Sequence, residues 1–207
     1  MQYLASIQLV LLQNLFWWLV MSTSLAILLY FFVVTTLADI TIKSRSQWGA
    51  APPRETPTRI SGAVPWVIIH HSEGNTNCSG KPCKEIVRNI QDYHMNENNW
   101  ADIGYNFLVA PTGEVFEGRG WGIVGAHAPK YNSKSVGICL IGSYQNKSPP
   151  EAQLAAVQEL IASGVNQAKI RPLYKLIGHR QVRATECPGD KLYSIIQQWP
   201  HYTSKVE

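Results

Sequence analysis

Three potential metal ligands that lie far apart in the sequence restrict how this chain can fold. His70 follows the apolar run Trp66–Ile69, which is typical of a buried strand, whereas His179 and Cys187 come much later. His179 also follows a predicted strand, and the segment to Cys187 is long enough to loop back, so the three side chains can converge. Two imidazoles and one thiolate form a zinc-ligand set that leaves a fourth position open for water. The spacing therefore permits a site for one zinc ion on His70, His179 and Cys187.

Hydrophobic periodicity predicts an α/β fold with a central mixed β-sheet flanked by helices. Amphipathic helices are predicted at 83–96 and 151–167, and a closing helix at 190–198. Because strands and helices alternate along much of the chain, a sheet covered by helices is favoured over a sandwich. The predicted strands are 66–71, 105–110, 114–117, 135–141 and 174–177, with a hairpin at Pro111-Thr-Gly.

The first 38 residues have a different composition from the rest. They contain no Asp, Glu, Lys or Arg and include two apolar stretches, so residues 1–38 are predicted to be a signal peptide or a signal anchor. Met21 is a possible alternative start, and the small residues that end at Ala38 suit cleavage before Asp39. We expect a secreted, extracellular domain at 39–207; retention of the segment as a membrane anchor is the alternative.

Charge and cysteine usage narrow the function further. The net charge of +4 is spread without a run of like charges, so no nucleic-acid partner is expected. Cys78 and Cys83 suit a disulfide in an oxidising compartment, whereas Cys139 looks like a small buried hydrophobe. This leaves Cys187 either as a zinc-bound thiolate or, as the alternative, in a disulfide with Cys139.

Blocks of sequence spread from residue 42 to residue 202 resemble the peptidoglycan recognition protein family. The similarity is to its catalytic type, in an insect-like short secreted form. The blocks are Ser46-Gln-Trp-Gly-Ala, Val67-Ile-Ile-His-His-Ser, Asp102-Ile-Gly-Tyr-Asn-Phe, Glu117-Gly-Arg-Gly-Trp, Gly125-Ala-His-Ala, Ser135-Val-Gly-Ile, Gly178-His-Arg and Trp199-Pro-His-Tyr.

The resemblance implies the fold and activity of a zinc-dependent N-acetylmuramoyl-L-alanine amidase. Such an enzyme hydrolyses the amide between muramic acid and L-alanine of bacterial peptidoglycan, in innate immunity. The family pattern places zinc on His70, His179 and Cys187, with Tyr105 and Thr185 as catalytic residues. Non-catalytic members, which are pattern-recognition receptors, typically replace the cysteine; a receptor is therefore the alternative function.

A groove for a glycan and its stem peptide needs aromatic and polar side chains. At residues 99 and 100, diaminopimelate-binding members have Gly-Trp and lysine-binding members Asn-Phe, and the former also carry an arginine at the position of Arg119. This chain combines Asn99 with Trp100 and Arg119, and the arginine favours diaminopimelate because a guanidinium pairs with its extra carboxylate. The expected partners are peptidoglycan and muropeptides, with a membrane only if residues 1–38 are retained, and we expect a monomer. The candidate substrate-binding residues are Trp48, His71, Trp100, Arg119, Trp121, His127 and Asn132.

Overall fold

The computed structural model describes residues 40–74, 78 and 82–206. The predicted signal peptide or anchor at 1–38, the alternative start at Met21 and the boundary at Asp39 lie outside the described residues. No helix in the part of the chain described here is long and apolar enough to cross a membrane.

A six-stranded mixed sheet forms the centre of the fold, in the order β1-β4-β3-β5-β2-β6. β3 and β4 pair antiparallel through the predicted hairpin, while the other neighbouring pairs are parallel. This confirms the predicted α/β class. The strands are β1 (Ile42–Lys43), β2 (Val64–His71), β3 (Phe107–Val109), β4 (Val115–Glu117), β5 (Ser135–Leu140) and β6 (Ile170–Gly178).

Helices cover both faces of this sheet. The two longer predicted helices and the closing helix are present, although the first changes to a π-helical turn at Tyr93–Glu97. Short β1 and α1 were not predicted, because elements of two and four residues carry too little periodicity to detect. The α-helices are α1 (Arg45–Trp48), α2 (Cys83–Asp92), α3 (Glu151–Asn166) and α4 (Asp190–Ile196).

The alternation of side chains along β2 decides which residues face which layer. Val67 and Ile69 pack into the cluster that contains residues of α3 and α4, whereas Trp66 and Ile68 contribute to a separate cluster. Because successive strand residues point to opposite faces, His70 lies on the side of Trp66 and Ile68. All four apolar side chains are at least 94% buried, and each such burial is worth about 1.5–3 kcal/mol. Packing on both faces therefore fixes the direction of His70.

The four cysteines fall into two pairs with different states. Cys78 and Cys83 form a disulfide at the start of α2, with their Cα atoms 5.1 Å apart. Cys139 and Cys187 are both free and buried, so the alternative disulfide between them is absent. Cys187 is therefore available as a ligand.

Candidate metal centre and pocket

Strand register brings the two histidines of the candidate metal centre together. β2 and β6 are parallel neighbours in which Ile69 pairs with Gly178, so the next residue of each chain segment is a histidine at the same edge. His179 begins a 3₁₀ turn, and the chain then returns to place Cys187 beside His70. The ligand atoms of His70, His179 and Cys187 all lie within 4.8 Å of one another.

Backbone hydrogen bonds hold the return loop that carries Cys187. The amide of Arg180 donates to the carbonyl of Cys187 at 2.8 Å, which closes the loop. The Cys187 sulfur accepts the amide N–H of His71 at 3.4 Å, and the Cys187 amide donates to the hydroxyl of Thr185 at 3.2 Å. The thiol is thus fixed from both the strand and the loop.

The protonation states of the three side chains suit a cation. Burial, with neighbouring His127, lowers the pKa of His70 well below its usual value, and burial with Arg183 nearby lowers that of His179 to about 4. Both imidazoles are therefore neutral at pH 7 and keep a lone pair for a metal. Burial raises the pKa of Cys187 to about 12, although the hydrogen bond from the His71 amide and the charge of Arg180 act in the opposite direction. A bound cation would reverse this shift.

These residues fit a zinc ion. The Nε2 atom of His179 is buried and has no hydrogen-bond partner among the described residues. Leaving a buried polar atom without a hydrogen bond costs about 1–3 kcal/mol. The unpaired nitrogen of His179 therefore indicates a missing partner, and it does so independently of the ligand set. Two imidazoles and a thiolate are the ligand types that zinc prefers, and three ligands leave one position open.

His127 contacts His70 at the ring nitrogen that does not face Cys187. Its Nδ1 lies 3.0 Å from Nε2 of His70, while Nδ1 of His70 lies 3.8 Å from the Cys187 sulfur. Burial lowers the pKa of His127 to about 3, so its ring is neutral and its Nδ1 can accept a hydrogen bond from Nε2–H of His70. The side-chain oxygen of Asn132 accepts the amide N–H groups of His127 and Ala128, at 2.9 and 2.8 Å. His127 and Asn132 therefore position His70.

A pocket of about 280 Å³ opens over the ligand set. Trp100, Tyr105, His127 and Asn132, all predicted as site residues, line it together with His70 and His179. Arg183 also lines the pocket, and no sequence motif singled it out. Only the fold brings this arginine, which lies between the second and third ligands in sequence, to the pocket.

Tyr105 presents a neutral phenol to this pocket. Its ring lies 5.3 Å from that of His70, measured between centroids. Burial, with Cys139 and Cys187 nearby, raises the pKa of Tyr105 well above its usual value, so the hydroxyl keeps its proton. His94 supports the same wall: its ring packs against Trp100 and Tyr105, and its Nδ1 accepts the amide of Gly104 at 3.0 Å.

Two predicted substrate-binding tryptophans lie elsewhere. Trp48 is fully buried and donates its indole N–H to the carbonyl of Glu117 at 2.9 Å, so the structure places it in the core and not in the pocket lining. Trp121 packs against Phe107 and against Gly164 of α3, and it belongs to the core cluster on that side of the sheet. The structure does not bring it to the pocket. A tryptophan that fills a core cannot be told from a sugar-stacking one by sequence alone.

His71 and Thr185 are close to the ligand set but outside the pocket lining. The strand alternation turns His71 to the opposite face from His70, where its Nδ1 accepts the amide of Tyr144 at 3.2 Å and its Nε2 pairs with Glu73 at 3.1 Å. The structure therefore does not bring His71, a predicted substrate-binding residue, to the pocket. Thr185 is exposed at the loop, and the only hydrogen bond of its hydroxyl among the described residues is with the Cys187 amide.

The predicted specificity residues occupy a neighbouring region. Arg119 donates to the carbonyls of Ile103 and Val124 at 2.7 and 2.9 Å, and it lines a second pocket of about 140 Å³. This uses two of its five N–H groups. Asn99 has a φ of 55°, a left-handed conformation that glycine and asparagine both adopt readily. Asn99 therefore adopts a backbone conformation that a glycine at this position could also adopt.

Comparisons with known proteins agree with this geometry. Residues 61–190 match the family described as N-acetylmuramoyl-L-alanine amidase. The chain is 48% identical to peptidoglycan-recognition protein LB of Drosophila melanogaster over 168 residues, which is 81% of this chain and 72% of that protein. A mutant of Drosophila PGRP-LB solved in complex with tracheal cytotoxin superimposes with a TM-score of 0.76 at 47% identity, covering 80% of this chain and 99% of that one. Peptidoglycan recognition protein-LE, solved with tracheal cytotoxin as a monomeric diaminopimelic acid-type peptidoglycan, gives 0.75 at 38% identity, covering 79% and 96%.

Proposed function

The chain belongs to the peptidoglycan recognition protein family, and from this membership we propose that it is a zinc-dependent N-acetylmuramoyl-L-alanine amidase. It would cleave the amide between muramic acid and L-alanine of bacterial peptidoglycan. The observation that carries the proposal is the convergence of His70, His179 and Cys187 within 4.8 Å beside an open pocket. A receptor that only binds peptidoglycan needs the pocket but not this complete ligand set.

In the proposed reaction the ligands and their neighbours have distinct tasks. His70, His179 and Cys187 would hold a zinc ion, which would supply Lewis acidity toward the scissile carbonyl and toward a water molecule. Tyr105 lies beside His70 and donates a hydrogen bond to the oxygen on which negative charge develops, because its phenol stays protonated. His127 holds the ring of His70 in one orientation. Thr185 fixes the loop that carries Cys187, in addition to any contact with substrate.

The proposed substrate is diaminopimelate-type peptidoglycan outside the cell, as part of innate immunity. Arg119 keeps N–H groups that its two backbone contacts do not use, and these can pair with the extra carboxylate of diaminopimelate. The similarity to proteins solved with tracheal cytotoxin supports the same class of ligand. We propose that the domain is secreted and monomeric.

The test is release of stem peptides from diaminopimelate-type and lysine-type peptidoglycan, with and without a chelator. We expect release that stops when the chelator removes zinc and that is faster on the diaminopimelate polymer. Cys187→Ser should abolish release and zinc binding together. Cys139→Ser is the matched control, because Cys139 is also free and buried but is not part of the ligand set. Tight binding without release from either polymer would reject the amidase and favour a receptor.

A further inference from the structure

Arg183 differs from most arginines of this domain because its charge has no partner among the described residues. Its side chain is exposed at the pocket, and no described residue forms a hydrogen bond or an ion pair with it. The guanidinium lies close enough to His179 for its charge to act on that imidazole, and no described residue offsets this charge. Other arginines do donate to protein oxygens: Arg45, Arg54, Arg119, Arg171 and Arg180.

The backbone that carries Arg183 is nevertheless held in place. The loop begins at His179 and ends at Cys187, and it is closed by the bond between the Arg180 amide and the Cys187 carbonyl. Arg180 also donates to Asp190 at 2.7 Å, which ties the loop to the start of α4. A free side chain on a fixed backbone can meet a ligand with a modest entropic cost.

The charges around this pocket favour an anion. Among the described residues that line it there is no Asp or Glu. The Glu73 carboxylate lies outside this lining and pairs with His71 at 3.1 Å. Arg183 is therefore the charged group that a ligand in this pocket would meet, and a guanidinium binds a carboxylate through two parallel hydrogen bonds.

We propose that Arg183 is a specificity-determining residue that binds the free α-carboxylate of the glutamate residue in the stem peptide. This proposal rests on the proposed function, since it places the scissile amide beside His70, His179 and Cys187. The second residue of the stem is a glutamate joined through its side-chain carboxyl, so its α-carboxylate is the first negative charge beyond that amide. Arg183 lines the same pocket as His70 and His179, so a ligand with its amide at these histidines shares the pocket with the guanidinium.

The test compares two muramyl tripeptides that differ only at this group: one with the free α-carboxylate and one with its amide. The full chain is assayed for kcat and KM with zinc bound, and for Kd by calorimetry in chelator, where binding is read without turnover. We expect amidation to weaken binding by the wild type about tenfold or more, the effect of losing one charged hydrogen-bonded pair. Arg183→Gln should bind both peptides equally. Its KM for the free-acid peptide should rise while kcat stays the same. Arg183→Lys should discriminate between the peptides less than the wild type and more than Arg183→Gln.

Arg171→Gln is the matched control, because Arg171 is an exposed arginine at the opposite end of β6. It should discriminate between the peptides as the wild type does. Arg183→Gln that still prefers the free acid, or a wild type that binds both peptides equally or neither, would overturn the proposal. Binding that depends on Arg183 without any hydrolysis would reject the amidase activity and support the role of Arg183. Hydrolysis without discrimination between the peptides would support the amidase activity and reject the role of Arg183.

Discussion

At the scale of single residues, the candidate site depends on contacts that follow from one strand position. His70 faces Cys187 through Nδ1 and His127 through Nε2, so both ring nitrogens are committed. A ligand histidine whose second nitrogen donates to a fixed acceptor is held in one tautomer, which raises its affinity for the metal. His127 was expected to touch substrate, and the structure adds this positioning role.

We predict that His127→Ala weakens zinc binding by about 10–100-fold, because His70 loses the group that orients it. Zinc affinity is measured by competition with a chromogenic chelator, and the unfolding midpoint of the metal-free protein is measured beside it. His201→Asn is the control, since His201 is exposed and asparagine also tolerates its φ of 67°. Unchanged affinity in His127→Ala would show that His127 does not position the ligand.

At the scale of elements, one buried polar side chain connects α3 to the sheet. Gln153 is fully buried; it donates to the carbonyls of Val109 and Ile141 at 2.7 and 3.1 Å and accepts the hydroxyl of Tyr144 at 2.5 Å. Buried polar groups are normally hydrogen-bonded, so these contacts complete the edge of β3 and the end of β5. The sequence reading of α3 as an amphipathic helix identified its apolar face but not this contact.

We predict that Gln153→Ala lowers the free energy of unfolding by about 2–4 kcal/mol, because it leaves several buried polar groups without partners. Urea unfolding of the purified protein measures the change. Gln158→Ala on the same helix is the matched control, since Gln158 is exposed and should change stability by less than about 0.5 kcal/mol. Equal effects of the two substitutions would contradict the assigned contacts.

At the scale of the whole molecule, the buried neutral histidines couple stability to pH. His94 is 7% exposed, and burial, with Arg119 nearby, lowers its pKa to about 4 from the usual 6.5. Between these values the unfolded chain binds a proton that the folded protein does not, so the free energy of unfolding falls as the pH falls. Protonation of His94 in the unfolded chain does not lower the free energy of unfolding above about pH 6.5. Its effect develops as the pH falls from 6.5 toward 4.

We predict that His94→Gln reduces this loss by on the order of 2–3 kcal/mol between pH 6.5 and 4, the size set by its pKa shift. The measurement is urea unfolding of the metal-free protein at a series of pH values, with the same substitution at exposed His201 as the control. If the slope with pH is the same in His94→Gln and the wild type, His94 is not protonated on unfolding in this range.

The sequence by itself determined the α/β class, the strand that carries His70, the strand that precedes His179, the disulfide and the family. These features are local: each depends on the period of apolar residues, on cysteine spacing or on motifs that are contiguous in the chain. The ligand set was predicted because each of its members belongs to such a motif, and the register of β2 and β6 then brings the members together.

The tertiary structure alone decided which aromatic and charged side chains reach the pocket. Trp48 and Trp121 are of the residue type that lines a binding groove. Both instead pack in the hydrophobic clusters beside the sheet, which are filled by large apolar side chains. Arg183 belongs to no motif, yet the loop between two ligands carries it to the pocket. Whether a side chain faces a core, a neighbour or a ligand depends on packing between distant segments, and no local pattern in the sequence encodes that packing.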